Sequence, residues 1–475
     1  MRGYKFPSAR QMPEIARSFA SVFASELVSR GAIFCFGVVL ARAVGPQEFG
    51  LYGLFVLVFA YLWLVSDGGC TSLGIKLVSQ AGTDGARWSA AGRVLGTRVV
   101  STAVVVVGLA VIAIATRGLY PRLSSWLVPG VLLLFANAFF MAWYARSIRR
   151  YGLYTLAYAG VAVSFLVASA VIVLLPVAIR DAGSGVWLRS GAWAVGAMLS
   201  AALILFGDEV RQILRELRAD FSLYKQSVWL GGAALLAGIS PLLPMLFLGH
   251  RGSDEDLGWY SAAWQVHQVM LAGAAVFHMV FFPRVYREAV LAPEKANSTY
   301  RSMVVLAIGA SVAVTATFSL FSRELVDALF GIGYRPGSRV LTVISVAVGV
   351  VLVRYVAELK LMVDGHSRRI FAAAVVGALT CVAASYLLTT DSVGASSAYV
   401  ISELGYTAAL ILVSRGFGLP LLAVLAGFVV SMMLLLAVPG SQGVFAAFAI
   451  VAATLWLSIR WIRVAPVEPH GQRIP

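Results

Sequence analysis

The chain has 475 residues, 60% of them hydrophobic and only 12% charged, with a mean hydropathy of +0.86, which excludes a water-soluble globular fold. Its formal net charge of +15 would suit nucleic acid in a soluble protein. Here the Lys and Arg residues sit in short segments between long apolar runs, so nucleic acid is excluded as a partner and membrane lipid is expected around the chain.

Residues 1–18 carry Arg2, Lys5, Arg10 and Arg17 ahead of an apolar run too long for a signal-peptide core and without a small-residue cleavage site, so an uncleaved first span is expected. Crossing the hydrocarbon takes about 20 apolar residues in a helix, and only helices or closed barrels satisfy their backbone there. Fourteen stretches meet that demand: 18–42, 50–75, 94–116, 125–146, 152–178, 187–206, 227–248, 258–282, 302–322, 338–360, 370–389, 393–413, 419–438 and 443–460. Cys35, Cys70 and Cys381 all lie in apolar stretches, with no CxxC pair and no His at ligand spacing, so they read as core residues and no metal or other cofactor is expected.

Charge placement tests the count. With the N-terminus in the cytoplasm, 26 of the 37 Lys and Arg residues, Arg98 among them, fall on the cytoplasmic side and nine, Arg189 among them, on the other, with Arg30 and Arg354 inside spans. The bias alternates correctly from loop to loop, as the positive-inside rule requires, and places both termini in the cytoplasm. No loop is long enough for a soluble domain. The longest, 207–226, reads as a charged amphipathic helix on the cytoplasmic surface, linking two halves.

A weak internal repeat supports that division. Phe49-Gly50-Leu51-Tyr52 stands between the first two spans, and Leu257-Gly258-Trp259-Tyr260 stands 208 positions later between the seventh and eighth. Tyr120 and Tyr334, then Arg149-Arg150 and Arg368-Arg369, recur at similar offsets. The expected organisation is a first lobe over 1–206, a linker over 207–226, a second lobe over 227–414, and two further helices with a tail over 415–475.

The run Leu40-Ala41-Arg42-Ala43-Val44-Gly45-Pro46-Gln47-Glu48-Phe49-Gly50-Leu51-Tyr52 resembles the opening hairpin of the Wzx-type polysaccharide flippases, in the multidrug/oligosaccharidyl-lipid/polysaccharide (MOP) exporter superfamily. Asp67-Gly68-Gly69, Gly258-Trp259-Tyr260-Ser261-Ala262-Ala263, Phe282-Pro283-Arg284 and Phe330-Gly331-Ile332-Gly333-Tyr334 are similar to that family in the same order. The resemblance implies an all-α polytopic membrane protein of about 14 helices: two six-helix lobes, MATE-like or MurJ-like, plus two C-terminal helices. It also implies alternating access around a central cavity. The implied cargo is a polyprenyl-pyrophosphate-linked oligosaccharide crossing the bacterial cytoplasmic membrane during exopolysaccharide, O-antigen or capsule synthesis, with a polysaccharide polymerase and export machinery as partners.

Charges within spans are expensive, so each needs a cavity or a partner. Glu26 and Arg30 are one turn apart on the first span. Arg30 lies roughly 18 Å from its cytoplasmic start, near mid-membrane, where a guanidinium can bind pyrophosphate bidentately or form a structural pair with Glu26. Asp67 and Glu403 have no sequence-local cation; each is a candidate carrier of a coupling H+ or Na+, and Asp67 is alternatively an Asx-type cap on a helix irregularity. Pro241 and Pro244 interrupt the seventh span and are candidate hinges. Trp264, His267, Gln268 and His278 form a polar and aromatic stripe suited to sugar, or bonded to a neighbouring helix. Arg354 and Glu358, again i and i+4, suit either an anionic headgroup or an interhelical gate.

Three rivals share these features. A polymerase or ligase would need a large extracytoplasmic loop with catalytic residues, and the non-cytoplasmic loops here are all short, so no enzyme is expected. A MATE-type exporter of small cations would favour carboxylates over Arg30 and Arg354 in its cavity. A MurJ-type lipid II flippase shares the architecture, but the Gly-Pro-Gln-Glu-Phe-Gly hairpin is more similar to the polysaccharide branch.

Overall fold

The computed structural model describes residues 12–115, 121–204, 208–291 and 293–414. The expected thirteenth and fourteenth spans, 419–438 and 443–460, lie outside the described residues. Fourteen α-helices occur among those described: α1 (Met12–Asp67), α2 (Cys70–Gln80), α3 (Asp84–Ala115), α4 (Pro121–Phe139), α5 (Ala142–Ser147), α6 (Tyr151–Leu174), α7 (Ala182–Ile204), α8 (Asp208–Arg215), α9 (Ser222–Arg251), α10 (Asp254–Leu291), α11 (Pro293–Phe330), α12 (Gly337–Val363), α13 (Ser367–Leu388) and α14 (Ser392–Val413). Ten are long and apolar enough to cross a membrane. The first described span, 46 residues, is long enough to cross twice. It turns back at Gly45, whose φ of 79° excludes most side chains, followed by Pro46, which lacks the N–H the turn would orphan. The protein is a multi-pass membrane protein, and all twelve expected spans within the described residues fall on helices.

Two spans depart from a single rod. The second breaks at Gly68 and Gly69, both at positive φ, and resumes as α2. The fourth breaks between Phe139 and Ala142 and resumes as α5. Conversely, α9 continues through Pro241 and Pro244 as one helix.

The first lobe packs α1 against α6, α6 against α7, and α4 against α3 and α7; the second packs α9 against α13, α12 against α10, α11 and α14, and α13 against α14. Lipid cannot drive these contacts hydrophobically, so small residues do much of the work by admitting close approach. Gly196 of α7 lies against Val161 of α6, and Gly377 of α13 against Tyr406 of α14. Outward faces carry exposed Val104, Val107, Leu166, Val167, Leu379 and Val382. Helix α12 is the most enclosed of the spans.

The linker differs from expectation. Only Asp208–Arg215 is a separate helix; the residues after it are pinned to α3. A Cβ on Gly96 would stand 2.6 Å from the Arg218 carbonyl, so the missing side chain admits the linker backbone. The Asp220 N–H donates to Thr97 Oγ1 at 2.9 Å, and Arg93 pairs with the Asp220 carboxylate at 3.4 Å. Fixed partners on α3 compete successfully with continuing the surface helix.

Candidate functional site

The lobes meet along α1, which packs against α10 and α9 of the second lobe. At the Gly45 turn, the shared end of the two arms of α1, the contact is backbone on backbone. A Cβ on Gly50 would stand 2.6 Å from the Gly258 nitrogen, and Gln47 Nε2 donates to Glu255 at 3.3 Å. Arg42 clamps the same end by donating to the Leu329 carbonyl at 2.7 Å and to that of Ala328, in the last turn of α11, where a cation complements the helix dipole. Tyr334 donates to the Ala41 carbonyl at 2.9 Å, and Trp259 to that of Gly333 at 3.1 Å. Three of the motifs singled out in the sequence therefore converge on one seal.

Deeper along α1 stands Arg30, its side chain 49% exposed and 4.0 Å from Glu26. Glu26 in turn accepts a hydrogen bond from Tyr154 of α6. The Arg30 guanidinium is half-exposed, and a charge on an apolar span is far cheaper facing water than lipid.

Arg354 has a different setting. It is largely enclosed within the second lobe, 3.6 Å from Glu358 and, through Nε, 3.3 Å from Glu403 Oε2 of α14. The second pair approaches as charges, without hydrogen-bond alignment. The guanidinium also lies 5.4 Å from the Tyr355 ring and 5.0 Å from that of Tyr406. Glu403, without a partner in its own stretch of sequence, thus has one in space; the triad holds two carboxylates and one cation. Asp67 likewise has a spatial partner: Arg98 of α3 stands 3.2 Å away, and both are buried. Asp67 also accepts from Thr71 Oγ1 at 2.5 Å and from the Thr71 N–H at 3.3 Å, spanning the Gly68-Gly69 break. Placing Arg98 among the cytoplasmic loop cations is therefore corrected: α3 carries it inward, and Asp67 with the Asn137 carbonyl satisfies it there.

The stripe on α10 is divided. His267 is fully buried and shares a 3.0 Å hydrogen bond with Tyr399 of α14. Trp264 is buried beside it, edge-on to Tyr399 at 5.2 Å. Gln268 is exposed, and the side chain of His278 lies outside the described residues. The structure brings Glu26 and Arg30 together, and separately Arg354, Glu358 and Glu403; it does not bring His267 to either cluster by a hydrogen bond. Sequence reasoning missed Arg98, Tyr154 and Tyr406. For Arg98 the signal was available, because it falls inside the 94–116 span.

Comparison with known proteins decides the family. The family described as "polysaccharide biosynthesis protein" matches residues 15–288, more than half of the chain. The chain belongs to that family. No curated protein matches the sequence. Among solved structures, the chain is similar to an inward-facing multidrug resistance MATE transporter of the MOP superfamily, with 14% identity, a TM-score of 0.61, and coverage of 86% of this chain and 96% of that one. It is similar also to the lipid II flippase MurJ in an inward closed conformation, with 9% identity, a TM-score of 0.62, and coverage of 93% and 98%. At such identities the likeness establishes the fold alone, which this chain shares with both transporters.

Proposed function

We propose that this member of the polysaccharide biosynthesis family is a flippase, carrying a polyprenyl-pyrophosphate-linked oligosaccharide from the cytoplasmic to the periplasmic leaflet by alternating access. The observation that carries this reading is Arg30, a half-exposed guanidinium on the first membrane-spanning stretch of α1. Its only acidic partner among the described residues is 4.0 Å away, so the fork remains available to phosphate oxygens. The polyprenyl tail stays in lipid while Arg30 neutralises the head, and the α1–α10 seam parts to release the glycan. The basic-residue bias supports a bacterial inner-membrane protein with both termini cytoplasmic, the seam lying on the periplasmic side.

Arg354 is reassigned in this scheme. With two carboxylates against it, the triad carries a formal surplus of one negative charge, which repels a pyrophosphate and suits a monovalent coupling ion, H+ or Na+. Asp67, balanced by Arg98, is left as a structural carboxylate. The chemistry is transport, without a covalent step, and the polymerase acts on the delivered repeat unit.

Deleting the gene should cause one lipid-linked oligosaccharide to accumulate on the inner leaflet, where mass spectrometry identifies it. Accumulation of a peptide-bearing lipid would point to a lipid II flippase, and accumulation of nothing lipid-linked would refute the cargo. Arg30→Ala should reproduce the deletion at normal protein level; normal export in that variant would remove Arg30 from the mechanism.

A further inference from the structure

The interior arginines differ in how their charge is balanced. Arg30 faces Glu26, Arg98 faces Asp67, and Arg354 faces Glu358 and Glu403. Arg189 has no carboxylate partner among the described residues. The sequence bias had counted it with the extracytoplasmic loops, yet it lies seven residues inside α7, about 10 Å along the helix.

Its surroundings are aromatic. Nη1 donates to the Tyr52 hydroxyl at 3.1 Å, and Cζ stands 6.0 Å from the Tyr52 ring and 5.8 Å from that of Phe165. Nε is buried with no acceptor. One turn further along the same face, Trp193 packs 6.2 Å from Phe165 and 5.8 Å from Phe140, and its indole Nε1 is also buried with no acceptor. Guanidinium and indole N–H groups only donate. Two buried donors bordering one ring, one of them on an uncompensated cation, therefore lack the same thing: an acceptor, preferably an anion.

The position relates to Arg30. Phe36 borders the same aromatic group, 6.2 Å from Tyr52 and 5.7 Å from Phe165. Arg30 lies six residues before Phe36 on α1, about 9 Å along the axis on the side away from the Gly45 turn. The unmatched donors thus border residues that lie further along α1 towards the Gly45 turn than Arg30 does.

We propose that Arg189 and Trp193 form an anion-binding site within the first lobe that accepts phosphate oxygens of a diphosphate. The choice of a lipid-linked diphosphate rests on the flippase reading; the anion site itself does not. A head leaving Arg30 for the seam exchanges one guanidinium for another, so its charge is never left bare in the low-dielectric interior. Trp193 adds a directed N–H, which gives the site geometry as well as charge.

The test is calorimetric titration of the full-length protein in lipid nanodiscs with inorganic pyrophosphate and, separately, geranyl diphosphate. Arg189→Gln should weaken binding about tenfold or more, the scale of a lost charge-assisted hydrogen bond, and Trp193→Phe about threefold to tenfold. Arg189→Lys should recover part of the loss, and Arg215→Gln on α8 should bind as wild type. Helicity by circular dichroism verifies folding of each variant. Geranyl diphosphate binding with little binding of pyrophosphate identifies the lipid-linked source; equal binding of both identifies a general diphosphate site. Wild type binding neither probe means that water satisfies the donors, and the proposal is overturned. It is overturned equally if Arg189→Gln and Trp193→Phe both match wild type. Loss of binding in Arg30→Gln alone would then leave the proposed function standing without this site.

Discussion

Gly50 and Gly258 hold equivalent places in the two lobes and meet each other backbone to backbone, with room for no side chain between them. They are not an isolated pair. Gln47 bonds Glu255 across the same 208 positions, and a Cβ on Gly53 would run into Ser261, again 208 positions on. Contacts between equivalent positions are what a pseudo-two-fold axis between the lobes produces.

Glycine at these positions makes the seam close-fitting, and an added methyl group should therefore prop it open. Overpacking costs roughly 1–3 kcal/mol, enough to shift a two-state equilibrium several-fold towards the opened seam. In a Cys35→Ser background, a Ser261→Cys probe, buried in the closed seam, should react with a membrane-impermeant maleimide faster when Gly50→Ala or Gly258→Ala is present. Equal labelling rates with and without the glycine changes would mean that this contact does not part.

The Asp67–Arg98 pair makes a second, purely structural prediction. Both side chains are buried, and removing one partner of such a pair costs about 3–5 kcal/mol because the other charge is left unpaired. Asp67→Asn and Arg98→Gln should each lower the thermal midpoint of the purified protein markedly. The double variant should be more stable than Arg98→Gln alone, since no charge is stranded. Additive losses in the double variant would show that the pair is not coupled.

Much of this was legible in the sequence because membrane physics is legible there. Apolar runs of about 20 residues marked the helices, and Gly45-Pro46 marked the turn between the first two spans. Individual charges were harder to place. Glu403 and Arg354 are 49 positions apart, and only the packing of α12 against α14 brings them together. Arg98 and Arg189 were assigned to loops because the bias counts charges by nearest loop, although both fall inside apolar spans. A linear reading cannot distinguish a cation at a helix end from one carried a few turns inward to a buried partner. Pro241 and Pro244 were expected to kink or locally break the seventh span, and α9 is not broken at them.

The triad of the second lobe predicts an order of stabilities. Arg354→Gln leaves Glu358 and Glu403 facing each other with no cation, so it should destabilise by the full 3–5 kcal/mol or so of a broken buried pair. Glu403→Gln leaves Arg354 matched one to one with Glu358 and removes the surplus negative charge, so it should cost much less. Thermal unfolding of the two variants side by side measures this. In proteoliposomes, Glu403→Gln should also make transport insensitive to an imposed H+ or Na+ gradient while the fold persists. If Glu403→Gln proves the less stable variant, or remains fully gradient-driven, the triad is not the ion site.

Asp220, outside the membrane-spanning helices, gives a prediction in pH. A hydrogen bond from the Ser222 hydroxyl, with the Ser222 N–H and Arg93, holds its carboxyl below the ordinary value of 3.8 against the opposing effect of burial. A folded-state value below the unfolded one means stability that is fully present above about pH 4 and lost as pH falls through the folded value. The group is partly exposed, so the effect is modest and screened by salt. Asp220→Asn should therefore loosen the linker from α3 at pH 7, measured as faster amide exchange over residues 216–222. The difference from wild type should shrink as the pH drops below 4, because the wild-type carboxyl then takes up its own proton. A difference that persists unchanged at pH 3 would assign the docking to the Thr97–Asp220 backbone bond instead of the charge.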